Sequence, residues 1–244
     1  NGTQAKYLTA DEYLSGNVRE KLAVARRLAE SEPVFAANVT ALEEVQPTDL
    51  TASEISVRLG ATWLPEDVVQ EFMYQLLDTP YYAQWKVKVH YSRYTGGWNV
   101  EGKSYDRSNI NAISTYGTDR VNAYKIIEDT LNLRDVRVFD YVEDENGKRV
   151  PILNKKETAI AQGKQELIKQ AFQDWIWKDQ PRRERLCKLY NEQFNALRPR
   201  EYDGTHLKFV GMNPEIQLRQ HQLNAVAHIL YGGNTLLAHV VGAG

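Results

Sequence analysis

Between Lys155 and about Lys178, the residues Leu167, Ile168, Ala171, Phe172, Trp175 and Ile176 recur at helical spacing. That spacing predicts one long helix with a single apolar face. Such a helix is stabilised mainly by burying that face against something else. The rest of the chain must therefore supply a second apolar surface.

Several segments offer one. Pro65 sits where a first helical position belongs, with Glu66 and Asp67 behind it. Val68, Val69, Phe72, Met73, Leu76 and Leu77 then form an apolar face. A second helix is predicted from Pro181, with Leu186, Leu189, Tyr190 and Phe194 along one side. "GTDRVNAYKIIEDTLNL" predicts another, capped at Thr118 or Asp119. Near the start, Asp11 to about Ala29 reads as helix in two pieces. Ser15-Gly16-Asn17 is the break, Asn17 the N-cap, and Val18, Leu22, Ala25 and Leu28 fall near helical spacing. "VFAANVTALEEVQP", closed by Pro47, predicts its antiparallel partner.

Two hairpins interrupt the helices. Trp85, Val87, Val89 and Tyr91 alternate with polar residues, Thr95-Gly96-Gly97 turns the chain, and Trp98 and Val100 resume. "RDVRVFDYVEDENGKRVPILN" centres a second hairpin on Glu145-Asn146-Gly147. Ile55, Val57, Leu59, Ala61 and Trp63 also alternate, which predicts an extended segment. Thr51-x-x-Glu54 leaves a capping box open as the alternative. The fold class is α+β: a helix-rich body with two β-hairpins over residues 1–197, a linker over 198–217, and a truncated helix, strand and loop over 218–244. "LRQHQLNAVAHILYGG" is that last helix, and "NTLLAHVVGAG" reads as a buried strand running into a glycine turn.

Composition narrows the class. The chain has 244 residues, 42% hydrophobic and 25% charged, with a formal net charge of -2. These values are ordinary for a globular protein and exclude a wholly basic nucleic-acid binder, though not a local basic face. One cysteine, Cys187, allows no internal disulfide and fits a cytoplasmic setting. No apolar run approaches the roughly 20 residues of a membrane helix. No signal peptide is visible, and both ends read as cuts through a longer protein.

The chemistry-bearing residues are few. Arg182, Arg183, Arg185, Lys188, Arg198 and Arg200 are opposed only by Glu184 and Glu192 between residues 182 and 200. They read either as a phosphate-contacting face or as a solvated helix surface. Tyr81, Tyr82, Trp85, Tyr91, Tyr94, Trp98, Tyr105 and Tyr116 accompany Lys86, Lys88, Arg93 and Lys103. They either stack on splayed bases or pack a two-sided hairpin. None of the five histidines shows metal-ligand spacing, and the carboxylates around 140–145 read as solvated.

At the end of the chain, Ala238, Gly242 and Gly244 fill the first positions of A-x-x-x-G-x-G, with Ala243 between the glycines. Glycines let a backbone approach phosphates closely. Gln222 lies in the helix before this strand. These features resemble the opening of a Swi/Snf-type helicase ATPase domain. "YLSGNVREKL", "VRLGATWLPEDVVQEFM", "STYGTDRVNAYKIIEDTLNLRDV", "LNKKETAIAQGKQELIKQAFQDWIWKD" and "NEQFNALRPREYDGTHLKFVGMNPEI" extend the likeness over nearly the whole chain. Together they resemble the very large helicase–DNA methyltransferase proteins of bacterial conjugative elements and phages. The resemblance implies an adenine-specific methylase using S-adenosylmethionine before this segment and an ATP- and Mg²⁺-dependent helicase after it. It also implies that Gln222 reads the adenine edge. The chain itself shows no methylase tetrad, since Asn213-Pro214-Glu215-Ile216 lacks a second proline and an aromatic residue. With no phosphate-loop lysine present, no cofactor is expected in the segment alone. It reads as a connector and DNA-engagement module contacting DNA and the flanking methylase and helicase domains, without a membrane partner. A purely structural scaffold between catalytic domains is the alternative.

Overall fold

A computed structural model describes residues 8–143, 147–213 and 215–242. Asp144, Glu145 and Asn146 of the second turn, Pro214, and Ala243 and Gly244 lie outside the described residues. In chain order the elements are α1 (Ala10–Tyr13), β1 (Gly16–Asn17), α2 (Val18–Ser31), α3 (Ala36–Glu44), α4 (Glu66–Leu77), α5 (Tyr81–Gln84), β2 (Lys88–Ser92) and β3 (Gly97–Glu101). They continue with α6 (Ala123–Leu131), β4 (Phe139–Glu143), β5 (Arg149–Leu153), α7 (Lys155–Ile176), α8 (Gln180–Phe194), β6 (Leu197–Arg198) and α9 (Gln220–Gly232). The fold is α+β, with strands pairing as β1–β6, β2–β3 and β4–β5, all antiparallel. Among the described residues no helix is long and apolar enough to cross a membrane.

Contacts divide the chain into two compact units, Leu50–Tyr190 and the paired segments Asn1–Asp49 with Asn191–Gly244. This departs from the expected 1–197 body followed by a linker at 198–217. The reason is local: the β1–β6 ladder, the Arg19 Nε bond to the Asn195 carbonyl (2.8 Å) and the Arg200–Asp11 pair (2.7 Å) join the first segment to the last.

In the central unit, α7 starts at Asn154, whose side chain accepts from the Glu157 amide. Of the expected face, Ile168, Phe172 and Ile176 are buried and Ala171 and Trp175 partly so, while Leu167 turns outward at 53% exposure and Ala161 joins the buried side. The buried residues meet Val68, Val69, Phe72, Met73 and Leu77 of α4, with Phe72 edge-on to Phe172 at 5.1 Å. Tyr124, Ile126, Ile127 and Leu131 of α6 complete the cluster with Val89, Trp98 and Val100 from the inner face of β2–β3. The pairs Val89↔Val100 and Tyr91↔Trp98 fix that register. The β4–β5 ribbon is different: both strands are exposed over most of their length.

Several local expectations are corrected here. The expected alternation holds for burial only from Ile55 to Leu59, with Ser56 and Arg58 outside; Gly60 and Leu64 are then buried out of phase, Ala61 and Trp63 are only partly buried, and no strand pairs with the segment among the described residues. Half of the capping-box alternative is present, since the Glu54 carboxylate accepts the Thr51 amide at 2.9 Å; the Thr51 hydroxyl donates to the same carboxylate instead of accepting the Glu54 amide, and the segment is a turn. The α6 cap is Asn122, not Thr118 or Asp119, because Thr118 is occupied in a turn with Val121. Trp85 leaves the hairpin and joins the end of α5, and Phe194 is exposed.

In the other unit, Asn17 caps α2 through the Glu20 amide, and α2 packs on α3 around Val18, Leu22, Ala25 and Leu42. The strand expected at 234–244 does not form over the described residues. Residues 235–240 are irregular, and Leu236 is 87% exposed. A strand buried on both faces needs neighbouring strands to take up its N–H and C=O groups. None pairs with it among the described residues.

Candidate functional site

The expected phosphate-loop residues are visible in part. Gly242 has φ of +86°, a left-handed value that glycine adopts freely. Ala238 is exposed, while Ala243 and Gly244 lie outside the described residues. Gln222 is engaged locally: its side-chain oxygen accepts the Arg219 amide at 2.8 Å and caps α9. A role that uses that oxygen on a base first requires releasing the cap.

The six cations between 182 and 200 do not form one free face. Arg182 is buried at 8% exposure, with its guanidinium 3.4 Å from the Trp175 ring centre. It donates to the carbonyls of Trp175 (2.8 Å) and Ile176 (3.1 Å). Both acceptors lie in the last turn of α7, where the Trp175 carbonyl also takes the Lys178 amide at 3.2 Å, so the arginine reinforces the close of that helix. Arg183 donates to the Trp177 carbonyl. Arg185 forks onto both Asp67 oxygens, at 2.5 and 3.1 Å. That hydrogen bond holds the Asp67 carboxyl below its ordinary range, against a smaller opposing effect of burial. In the other unit, Arg198 donates to the Leu14 carbonyl and pairs with Glu201, while Arg200 pairs with Asp11 and lies over Tyr202. Lys188 is exposed on α8.

The aromatic residues divide cleanly. Trp98 is buried, and Tyr91 and Tyr116 are partly so, as packing of the hairpin requires. Tyr81, Tyr82, Trp85, Tyr94 and Tyr105 are exposed, Trp85 by 64%. Tyr81 and Tyr82 lie in α5 and Trp85 caps it. Tyr81 meets Trp85 edge-on at 5.9 Å, and Lys86 Nζ lies 5.9 Å from the Tyr105 ring centre. The backbone beneath them is held firmly. Ala83 is buried, and the Tyr74 hydroxyl shares its single proton between the carbonyls of Gln84 (2.9 Å) and Val87 (2.5 Å). Gln84 donates to the Thr79 carbonyl at 2.8 Å. Under Tyr105, the buried Asp106 accepts from the Tyr124 hydroxyl at 2.6 Å and from Asn109 at 2.7 Å. Burial, and then the Asp106 bond, push the Tyr124 phenol far above its ordinary range, so it stays a neutral donor.

The result is a ledge of open aromatic faces on a rigid base. Lys86 stands within it, and Lys88 and Arg107 flank it in sequence. Among the described residues none of those three cations bonds or pairs with a carboxylate. Rings with one face free and cations beside them can stack on unpaired bases and hold phosphates. Composition pointed to these aromatics, but separating the open rings from the packed ones needed the structure. Nothing in the sequence signalled the Tyr124–Asp106 support.

Among the described residues no group of three or more His, Cys, Asp and Glu side chains is placed to hold a metal ion. Residues 58–196 match the family described as "Domain of unknown function (DUF8437)". The chain belongs to this family. No curated protein and no solved structure gives a significant match. The DUF8437 region contains both longer hairpins, the aromatic ledge, Arg182, Arg183, Arg185 and Lys188. Gln222, Ala238, Gly242, Arg198 and Arg200 lie beyond it.

Proposed function

We propose that this chain is a connector and DNA-engagement segment of a helicase–methyltransferase, which positions a motor on DNA and links it to the methylase. The parent protein would use ATP and Mg²⁺ for translocation and S-adenosylmethionine for adenine methylation, in the cytoplasm. The segment alone carries neither reaction. The observation that supports DNA engagement is the ledge of Tyr81, Trp85, Lys86 and Tyr105: open rings with a cation among them.

This reading moves the contact away from the arginines first expected to make it. Arg182 and Arg185 are held by protein partners and would have to break them to reach a phosphate. That same fact favours the scaffold alternative for α8 itself, whose basic residues fasten α8 to α4 and α7.

Fluorescence anisotropy with labelled single-stranded and duplex oligonucleotides tests the reading. Weak binding that declines steeply with salt is expected. Trp85→Ala with Tyr105→Ala should weaken single-strand binding about tenfold, from roughly 1–3 kcal/mol per stacked base. A flat titration at low salt would leave only the scaffold.

A further inference from the structure

One recess in the central unit lies away from the ledge. Helix α7 carries Gln165, Lys169 and Gln173 at four-residue intervals, which places them on one face. The two glutamines each fasten a different loop. Gln165, 2% exposed, donates to the Thr130 hydroxyl (3.1 Å) and the Arg134 carbonyl (2.7 Å), and accepts the Val136 amide (3.3 Å). Gln173 donates to the Val57 carbonyl at 2.7 Å. Each tethered loop then presents an arginine, Arg58 in one and Arg134 in the other. Lys169 lies between the two anchor points.

Arg58, Arg134 and Lys169 line a recess of about 310 Å³, with Leu59 and Leu133 as apolar wall. Asp135 is the one acid in the lining. Lys169 pairs with Glu166 at 2.7 Å, but Glu166 lies outside the lining. Among the described residues, the guanidinium groups of Arg58 and Arg134 make no hydrogen bond or ion pair.

Both loops are fixed in left-handed backbone beside their arginines. Gly60 has φ of +96°, and a Cβ there would fall 2.4 Å from the Leu131 carbonyl oxygen. Leu133 has φ of +56°, an uncommon choice for a leucine, and its side chain is exposed. Core packing does not call for a leucine there. Backbone held in such regions by its surroundings collects at ligand sites. The bland explanation is that the cations answer the partial negative charge at the end of α6. That would place the guanidinium groups on the terminal carbonyls. The Thr130 and Asp129 carbonyls instead take the Leu133 and Arg134 amides, and among the described residues neither guanidinium bonds to a carbonyl there.

We propose that this recess binds the phosphate of a small phosphate monoester, with Arg58 and Arg134 forking onto its oxygens, Lys169 adding charge and Leu59 and Leu133 covering the ester's apolar body. Guanidinium forks match phosphate geometry, and the volume lies at the small end of small-molecule pockets, about 300–1,000 Å³. The proposal is independent of the ledge and of DNA engagement.

The test is an NMR titration of the full chain with inorganic phosphate, phenyl phosphate and a short duplex oligonucleotide in separate arms. Saturable shifts of the Leu133 and Arg134 amides with phenyl phosphate, and weaker ones with inorganic phosphate, are expected. Arg58→Ala with Arg134→Ala should weaken phenyl phosphate about tenfold or more, and the Arg→Lys pair should restore only part of it. An unchanged urea midpoint establishes that the variants fold. If they do not, Lys169→Gln, at the partly exposed edge of the recess, replaces them, with a smaller loss expected. No saturable shift from either small probe would overturn the proposal. So would a response to the oligonucleotide alone, which would make the recess part of a DNA-backbone contact.

Discussion

Between Leu50 and Tyr190, apolar side chains from α4, α6, α7 and the β2–β3 hairpin close into one cluster. In the unit formed by Asn1–Asp49 and Asn191–Gly244, burial centres on Val18, Leu22, Ala25 and Leu42, while Val210, Leu230, Leu236, Val240 and Val241 face solvent. The two regions have similar apolar patterns in sequence. They differ in whether a second surface is present to receive them. An amphipathic helix or apolar strand encodes a demand for burial, and the demand is met only where another element answers it. The DUF8437 match, at 58–196, follows the region that answers its own demand.

Core truncation should separate the two regions most strongly. Phe172 is fully buried against Phe72 and Trp175. Phe172→Ala should cost about 3–5 kcal/mol, read from urea denaturation of the central unit. Leu42→Ala removes an equally buried side chain from a much smaller cluster. It should cost about 2–3 kcal/mol and raise hydrogen exchange in α2 and α3 only. Equal acceleration of exchange in α7 would mean that the two regions unfold together, and the contrast would fail.

A smaller effect lies in the polar part of the central core. Tyr124 joins Asp106 (2.6 Å) and Thr79 (2.9 Å), all three buried. Tyr124→Phe keeps the ring but removes the hydroxyl that Asp106 needs. The expected loss is about 1–3 kcal/mol, because a buried acceptor is left short of a donor. It should also loosen the Tyr105 end of the ledge, visible as faster exchange at the amides of residues 103–107. A stability change within about 0.5 kcal/mol would mean that Asn109 suffices for Asp106.

Helices were the legible part of this molecule, because their signals are local. The 3.6-residue period of α7, the Asn17 cap and the apolar face of α4 each sit within one segment and are kept on folding, apart from Leu167, which the structure exposes. The Leu236–Val241 stretch shows the limit: its apolar run is as strong, yet burial depends on neighbours that the run does not contain. Arg182 shows a second limit. A solvated arginine and one lying over Trp175 have the same sequence signature, since the difference is made by the junction between α7 and α8. The aromatic ledge was half legible. Its residue types were conspicuous, but only the docking of Ala83 and the Tyr74 bonds decide that Trp85 faces outward. The recess was not legible at all, because Arg58, Arg134 and Lys169 are brought together by glutamines that resemble ordinary helix-surface residues.

The smallest expected effect is a pH dependence confined to the central unit. Glu128 of α6 accepts from Lys103 Nζ at 2.6 Å and from the Val100 amide at 2.8 Å. Burial acts to raise its pKa. The Lys103 bond, the Val100 amide and the charges of Lys103 and Lys125 outweigh that and hold the carboxyl below its ordinary value. The folded state therefore binds this proton less readily than the unfolded chain does. The stability it contributes is complete above the unfolded value of 4.5 and is lost as pH falls through the lowered folded value. Glu128→Gln should remove this component, reducing stability at neutral pH by a few tenths to about 1 kcal/mol and flattening the acid limb of the urea midpoint. The bond ties β3 to α6, so the loss should appear in exchange at Val100 and leave α2 and α3 unmoved. An acid limb unchanged by the substitution would assign the pH dependence to other carboxylates. Asp11, paired with Arg200 in the other unit, would be the first to examine, since hydrogen bonds from Thr9 and Arg200 also hold its carboxyl low.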